Sequence, residues 1–179
     1  VTRAAVGFGG NVGRPDLAFA RAVARLEAEP GMRVVARSRL WESEPWGRTD
    51  QPPFLNAAAL VETSASPSEL HEVLRDEERA AGRERDGQRW GPRTLDLDIL
   101  WFGDEVSEDP ELQLPHPGLP ERSFVLEPLA EIAPDWRHPR TGVTAAEMLA
   151  ALRAAGRASA CARTLVLLGE PLGAPPCRR

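Results

Sequence analysis

Apolar and polar positions along the first hundred residues switch between a period of two and a helical period, which predicts six elements in the order βαββαβ. Arg3 to Phe8 reads as a buried strand, with Gly7, Gly9, Gly10 and Gly13 marking a tight loop at its end. Pro15 near a first helical turn and Phe19, Val23 and Leu26 at helical spacing predict a helix that Gly31 ends. Met32 to Trp41 follows as one strand, a loop spans Glu42 to Pro53, and Phe54 to Thr63 is the next strand. Ser66-Pro67-Ser68-Glu69 is a capping box, and Leu70, Val73, Leu74 and Glu77 carry its helix to about Gly82. An arginine loop, Arg83 to Thr94, then leads into a strand from Leu95 to Phe102.

Two crossovers of right-handed sense, with both helices on one side, make this order an α+β ferredoxin-like plait with an antiparallel sheet. Its other sheet face should stay open for ligands and later segments. Those segments supply C-terminal helical additions: Phe124 to Ile132, interrupted by Pro128, and Thr144 to Gly156. Thr164 to Leu168 is a candidate last strand, and Gly169 to Arg179 a loose tail.

Composition narrows the class. A chain of 179 residues suits a single domain with one core. No run approaches the roughly 18 apolar residues of a membrane span and no secretory pattern opens the chain, so a cytoplasmic protein without a membrane partner is expected. Cys161 and Cys177 lack metal-ligand spacing and read as incidental thiols. A net charge of −5 argues against nucleic acid as a partner. All 22 basic residues are arginine, so the P-loop lysine and Schiff-base chemistry are excluded and arginine is left as the strong phosphate ligand. The glycines near the N-terminus fail as a dinucleotide fingerprint, because Val12 stands where a G-x-G-x-x-G run begun at Gly7 needs its last glycine.

The chemistry concentrates between Arg89 and Leu100. In a strand, Leu95, Leu97 and Ile99 enter the core while Asp96 and Asp98 share the opposite face, about 7 Å apart at the backbone. Such a pair can converge on one hard cation or straddle two, and Mg²⁺ takes one or two carboxylates together with phosphate oxygens. A bare Asp-x-Asp is more often the polar face of a solvated strand, and the arginines Arg83, Arg85, Arg89 and Arg93 are what tip the balance. Arg85 is the one best read as a solvated partner of Glu84 and Asp86, whereas Arg93 has a direction fixed by Gly91-Pro92.

The segment Arg89-x-Gly91-Pro92-Arg93-x-x-Asp96-Leu97-Asp98-Ile99-Leu100 resembles the signature of the 6-hydroxymethyl-7,8-dihydropterin pyrophosphokinase family of folate biosynthesis. The resemblance extends to Gly7-Phe8-Gly9-Gly10-Asn11-Val12-Gly13, Gln51 to Ala57, Leu114-Pro115-His116-Pro117 and Arg122-Ser123-Phe124, in order over about residues 5 to 140. The segment after about Gly142, including a C-terminal extension from about residue 157, is weakly covered. The resemblance implies transfer of pyrophosphate from ATP to the pterin hydroxymethyl group, with AMP as leaving group. It implies that Asp96 and Asp98 hold two Mg²⁺ ions and that Arg83 and Arg93 stabilise the transferring group. Glu78, Arg83, Arg89, Arg93, Ile99, His116 and Arg122 then match the ATP side, and Ser43, Pro45, Trp46, Phe54, Asn56, Trp90 and Phe124 the pterin side. Glu111 and Gln113 depart from the arginine and threonine of some members, and Gly10 and Phe54 replace a serine and a tyrosine. The expected partners are the two small-molecule substrates, the expected state a monomer, and the loops at Glu42–Pro53 and Arg83–Pro92 are expected to close over ATP. Two alternatives stay open at this point: another metal-dependent nucleotidyl- or glycosyltransferase, and a noncatalytic small-molecule or RNA-binding module.

Overall fold

A computed structural model describes residues 1–45, 50–82 and 92–172. Trp46, Arg83, Arg85, Arg89, Trp90 and Cys177 lie outside these. The elements run β1 (Thr2–Gly10), α1 (Pro15–Ala28), β2 (Met32–Arg37), β3 (Arg39–Ser43), β4 (Phe54–Thr63), α2 (Pro67–Ala80) and β5 (Asp96–Phe102). After them come β6 (Ser107–Asp109), β7 (Leu112–Leu114), a 3₁₀ turn (Leu119–Glu121), α3 (Ser123–Ile132), α4 (Ala145–Ala154) and β8 (Cys161–Leu167). Among the described residues no helix is long and apolar enough to cross a membrane.

The main sheet is antiparallel, in the order β5-β1-β4-β3-β8, and β2 pairs with β4 as well. The single strand expected from Met32 to Trp41 is therefore two. Ser38 separates them: its N–H donates to the Ala58 carbonyl at 2.9 Å, while its buried hydroxyl accepts from the Ala58 N–H at 2.9 Å. A serine hydroxyl standing in for a backbone carbonyl ends one ladder and restarts the next on the same flank of β4. The glycine loop is also corrected. Gly7, Gly9 and Gly10 lie within β1, paired along their length with β4, and only Gly13, at φ +69°, turns the chain.

Alternation along the strands builds two cores. On one face Val6, Phe8, Leu97 and Ile99 meet Phe19, Leu26, Leu70 and Leu74 from α1 and α2. On the other, Ala5, Leu60, Leu100 and Trp101 meet Leu126, Leu129, Met148 and Leu152 from α3 and α4. The second face, expected to take ligands and later segments, is covered in part by the later helices, whose apolar sides need a partner. Its uncovered part carries the site. Pro128 sits inside an unbroken α3 rather than interrupting it, the expected strand at Thr164–Leu168 begins earlier at Cys161, and the hairpin β6–β7 was not anticipated.

The capping box predicted at Ser66 forms in full, with Glu69 N–H on the Ser66 hydroxyl and Ser66 N–H on the Glu69 carboxylate. A second, at Thr144 and Glu147, starts α4 in the same way. At the C-terminal end, the 1% exposed carboxylate of Asp16 accepts from the Leu172 N–H at 2.8 Å and from both Nε and Nη2 of Arg14. This clasp ties residues 169–172 across the start of α1.

Candidate active site

Two glycines leave the floor of the site bare. Gly7 and Gly9 fall on the second face of the central strand β1, where Gly9 pairs with Asn56 of β4 on one side and with Asp96 of β5 on the other. Gly7 pairs with Asp98. At about 4.8 Å per strand, Asn56 and Asp96 stand roughly 10 Å apart across a strip that has no side chain between them. A β-carbon at Gly9 would meet only Asp96 Cβ, at 3.8 Å. Gly10 answers a different need: a β-carbon there would come within 2.7 Å of the Thr94 carbonyl, so glycine lets the chain after Pro92 approach β1.

The β4 side of the strip is fixed by hydrogen bonds. Asn56 is buried, and its amide donates to the Ser43 hydroxyl at 2.8 Å. Phe54 pairs with Ser43 across β3–β4 and is half-buried, as is Pro45 beyond the strand. Phe124 is half-buried in the first turn of α3, which packs on β3 and β4. Among the described residues no ring contact joins it to Phe54.

On the β5 side, Asp96 and Asp98 share a face as expected, while Leu95, Leu97 and Ile99 are buried. Arg93 donates from Nη1 to Asp96 Oδ2. Glu78 comes from the last turn of α2. It is 4% exposed, and its Oε1 accepts from the Leu97 N–H at 2.8 Å, so it grips the backbone between the two aspartates.

Next to Asp98 lies a cleft of about 180 Å³, walled by β5, by the β6–β7 hairpin and by His71 of α2. His116, Ile99, Glu111 and Gln113 line it too. His116 accepts the Gly118 N–H on Nδ1 at 3.1 Å, which leaves the proton on Nε2, 3.9 Å from Asp98 Oδ2. Burial holds this imidazole below its ordinary pKa, opposed by Asp98 and reinforced by Arg122. Gly118 makes room for that arginine, since a β-carbon there would lie 2.7 Å from Arg122 Nε. His116, Ile99, Asp98 and Arg122 are thus brought together. Of this wall Glu111 and Gln113 stood out in the sequence, whereas His71, a lone helical histidine, had no motif behind it and two three-residue strands carry too little pattern to be read.

Two half-exposed carboxylates on one strand face, beside a guanidinium, suit a hard cation that completes its shell with phosphate oxygens or water. Among the described residues no group of three His, Cys, Asp or Glu side chains could hold a metal alone. Cys161, at the far edge of the sheet, is pushed up to about 11 by burial and the nearby Glu127, in line with an inert thiol.

A family model described as 7,8-dihydro-6-hydroxymethylpterin-pyrophosphokinase matches residues 5–134. The chain is 50% identical over 135 residues to the 2-amino-4-hydroxy-6-hydroxymethyldihydropteridine pyrophosphokinase of Methylorubrum extorquens, covering 75% of this chain and 85% of that one. It is 44% identical over 151 residues to the protein of the same name from Pseudomonas aeruginosa, covering 84% and 92%. Among solved structures it resembles wild-type Plasmodium falciparum HPPK-DHPS at a TM-score of 0.62 and 14% identity. That match takes in 84% of this chain but only 44% of the longer one, and bears on the fold alone. The signature positions, their arrangement on one sheet face and these matches agree, and the chain belongs to the 7,8-dihydro-6-hydroxymethylpterin-pyrophosphokinase family.

Proposed function

We propose that this site transfers a pyrophosphoryl group from ATP to the hydroxymethyl oxygen of 6-hydroxymethyl-7,8-dihydropterin, in folate biosynthesis. The observation that carries the reading is the register of Gly9. It sets a pterin-type amide, Asn56, and a metal-type carboxylate, Asp96, on opposite sides of one bare strip. The acceptor oxygen forms a bond to the β-phosphorus, the bond from that phosphorus to the α,β-bridging oxygen breaks, AMP leaves with that oxygen, and the hydroxyl proton passes to solvent. Two Mg²⁺ ions, when bound, supply neutralisation of charge on the phosphates. Asp96 and Asp98 hold them. Arg93 lies beside Asp96, where it can follow charge onto the transferring group, a role worth about 3–4 kcal/mol where comparable donors have been removed. Arg83, Arg89 and Arg122 take further phosphate oxygens. His116, neutral with Nε2–H turned toward the cleft, donates on the nucleotide side, with Ile99 giving an apolar contact.

On the acceptor side, Asn56 is held by Ser43 so that its amide meets the edge of the heterocycle. Phe54 and Phe124 enclose its faces. Pro45, Trp46 and Trp90 complete the pterin side. Glu78 belongs to the nucleotide side and also fixes the strand that carries the two aspartates. The strand order supports the ferredoxin-like plait when β2 and β3 are counted as one strand, because the four strands of βαββαβ then lie 4-1-3-2. A monomer in the cytoplasm, without nucleic acid or membrane, fits the acidic balance and is checked by light scattering.

Incubation with Mg²⁺-ATP and the reduced hydroxymethylpterin should yield AMP. ADP would mark an ordinary kinase, and no conversion a binding module. Asp96→Ala or Asp98→Ala should abolish turnover and weaken Mg²⁺-dependent nucleotide binding while the thermal melt is largely kept. Retained activity would refute the metal assignment.

A further inference from the structure

Asn11 stands just past the end of β1, with hydrogen-bond partners on both halves of the site. It is buried, and each of its amide atoms has a partner on a different flank. Its Oδ1 accepts the Arg93 N–H at 2.9 Å, three residues before Asp96. Its Nδ2 donates to the Gln51 side-chain oxygen and to the Pro52 carbonyl, both at 3.0 Å, two residues before Phe54. The backbone adds to the Arg93 side, since the N–H groups of Asn11 and Val12 both donate to the Arg93 carbonyl at 2.8 and 3.2 Å. The orientation of the amide is dictated by its neighbours, because a backbone N–H can only donate and a proline carbonyl can only accept. Only a group that is donor and acceptor at once, at this length, spans the two strand entries.

We propose that Asn11 is a positioning residue that makes occupation of the nucleotide half and of the pterin half interdependent. Anything that settles Arg93 and Asp96 in their bound placement settles Asn11, and with it Gln51, Pro52 and the approach to Phe54. By linkage the reverse holds to the same factor. The inference rests on the function proposed above, and the test separates the two.

Formation of AMP by the unaltered protein checks the function first; without it both readings fall. Pterin affinity is then measured by titration, with and without a saturating non-hydrolysable Mg²⁺-ATP analogue. In the unaltered protein the analogue should tighten pterin binding by about tenfold or more, within the range usual for coupled sites. In Asn11→Ala that factor should fall toward one while the affinity for the analogue alone changes little. Asn11→Asp keeps the acceptor for Arg93 but sets a carboxylate oxygen against two acceptors. It should lose the coupling as well, and it carries the test if the alanine variant folds poorly. A factor near one in the unaltered protein, or undiminished coupling in a folded variant, overturns the proposal.

Discussion

Gly9 shows how a missing side chain defines a site. A methyl group there meets nothing nearer than 3.8 Å, and its φ is not in the left-handed region, so Gly9→Ala should fold and keep its melting temperature. The methyl would nonetheless stand between Asn56 and Asp96, where the acceptor is proposed to lie. kcat/KM for the pterin should drop by about tenfold or more, roughly 1.4 kcal/mol, with the affinity for nucleotide alone unchanged. Equal loss on both substrates, or none, would show that the strip is not the acceptor's floor. Gly7 differs, because a β-carbon there would press on Leu100 Cδ2 at 3.0 Å and the core would have to give.

At the scale of elements, β5 depends on α2. Glu78 reaches from the last turn of the helix to the Leu97 N–H, and its removal would leave a buried donor without an acceptor. Glu78→Ala should lower stability by about 1–3 kcal/mol and reduce turnover, whereas Glu78→Gln, which keeps an acceptor oxygen, should restore most of both. Denaturant melts and steady-state rates on the pair decide it; equal defects would show that the charge, and not the bond, is needed. This contact also marks where the sequence stops being legible. Helix starts at Ser66 and Pro15 and the inward set Leu95, Leu97 and Ile99 follow from local pattern, and the structure has them. The break at Ser38 depends on Ala58, twenty positions away, and the duty of Glu78 on a strand nineteen positions away. Asn11 was visible as part of a motif, yet its side-chain partners lie 40, 41 and 82 positions on. Long-range hydrogen bonds of this kind leave no periodic trace in a single chain.

Across the whole molecule, the Asp16 clasp holds the last described residues to the first helix. Hydrogen bonds from Arg14 hold the Asp16 carboxyl below the ordinary carboxylate range, against burial, and the Leu172 N–H adds to them. A folded-state pKa below the unfolded value of about 3.9 contributes stability that is full above that pH and lost as pH falls through the folded value. Asp16→Asn should therefore be less stable than the unaltered protein at pH 7, by about 1–3 kcal/mol for a charged hydrogen-bond set. The gap should close at an acid pH low enough to protonate the folded carboxylate. Thermal melts at both pH values test this, and a gap that persists in acid would assign the effect to packing of Leu172.

Among the described residues the strand that carries Asp96 and Asp98 is also an outermost strand of its sheet, with β1 as its only ladder partner there. Two backbone groups that do not face β1 are already engaged: the Leu97 N–H by Glu78, and the Leu100 carbonyl by the His116 N–H at 2.9 Å. An outermost strand is a template on which a second copy can add its own strand and begin to aggregate. The bonds that aim the site therefore act as a guard rail against self-association, so a variant that loosens them endangers solubility along with turnover.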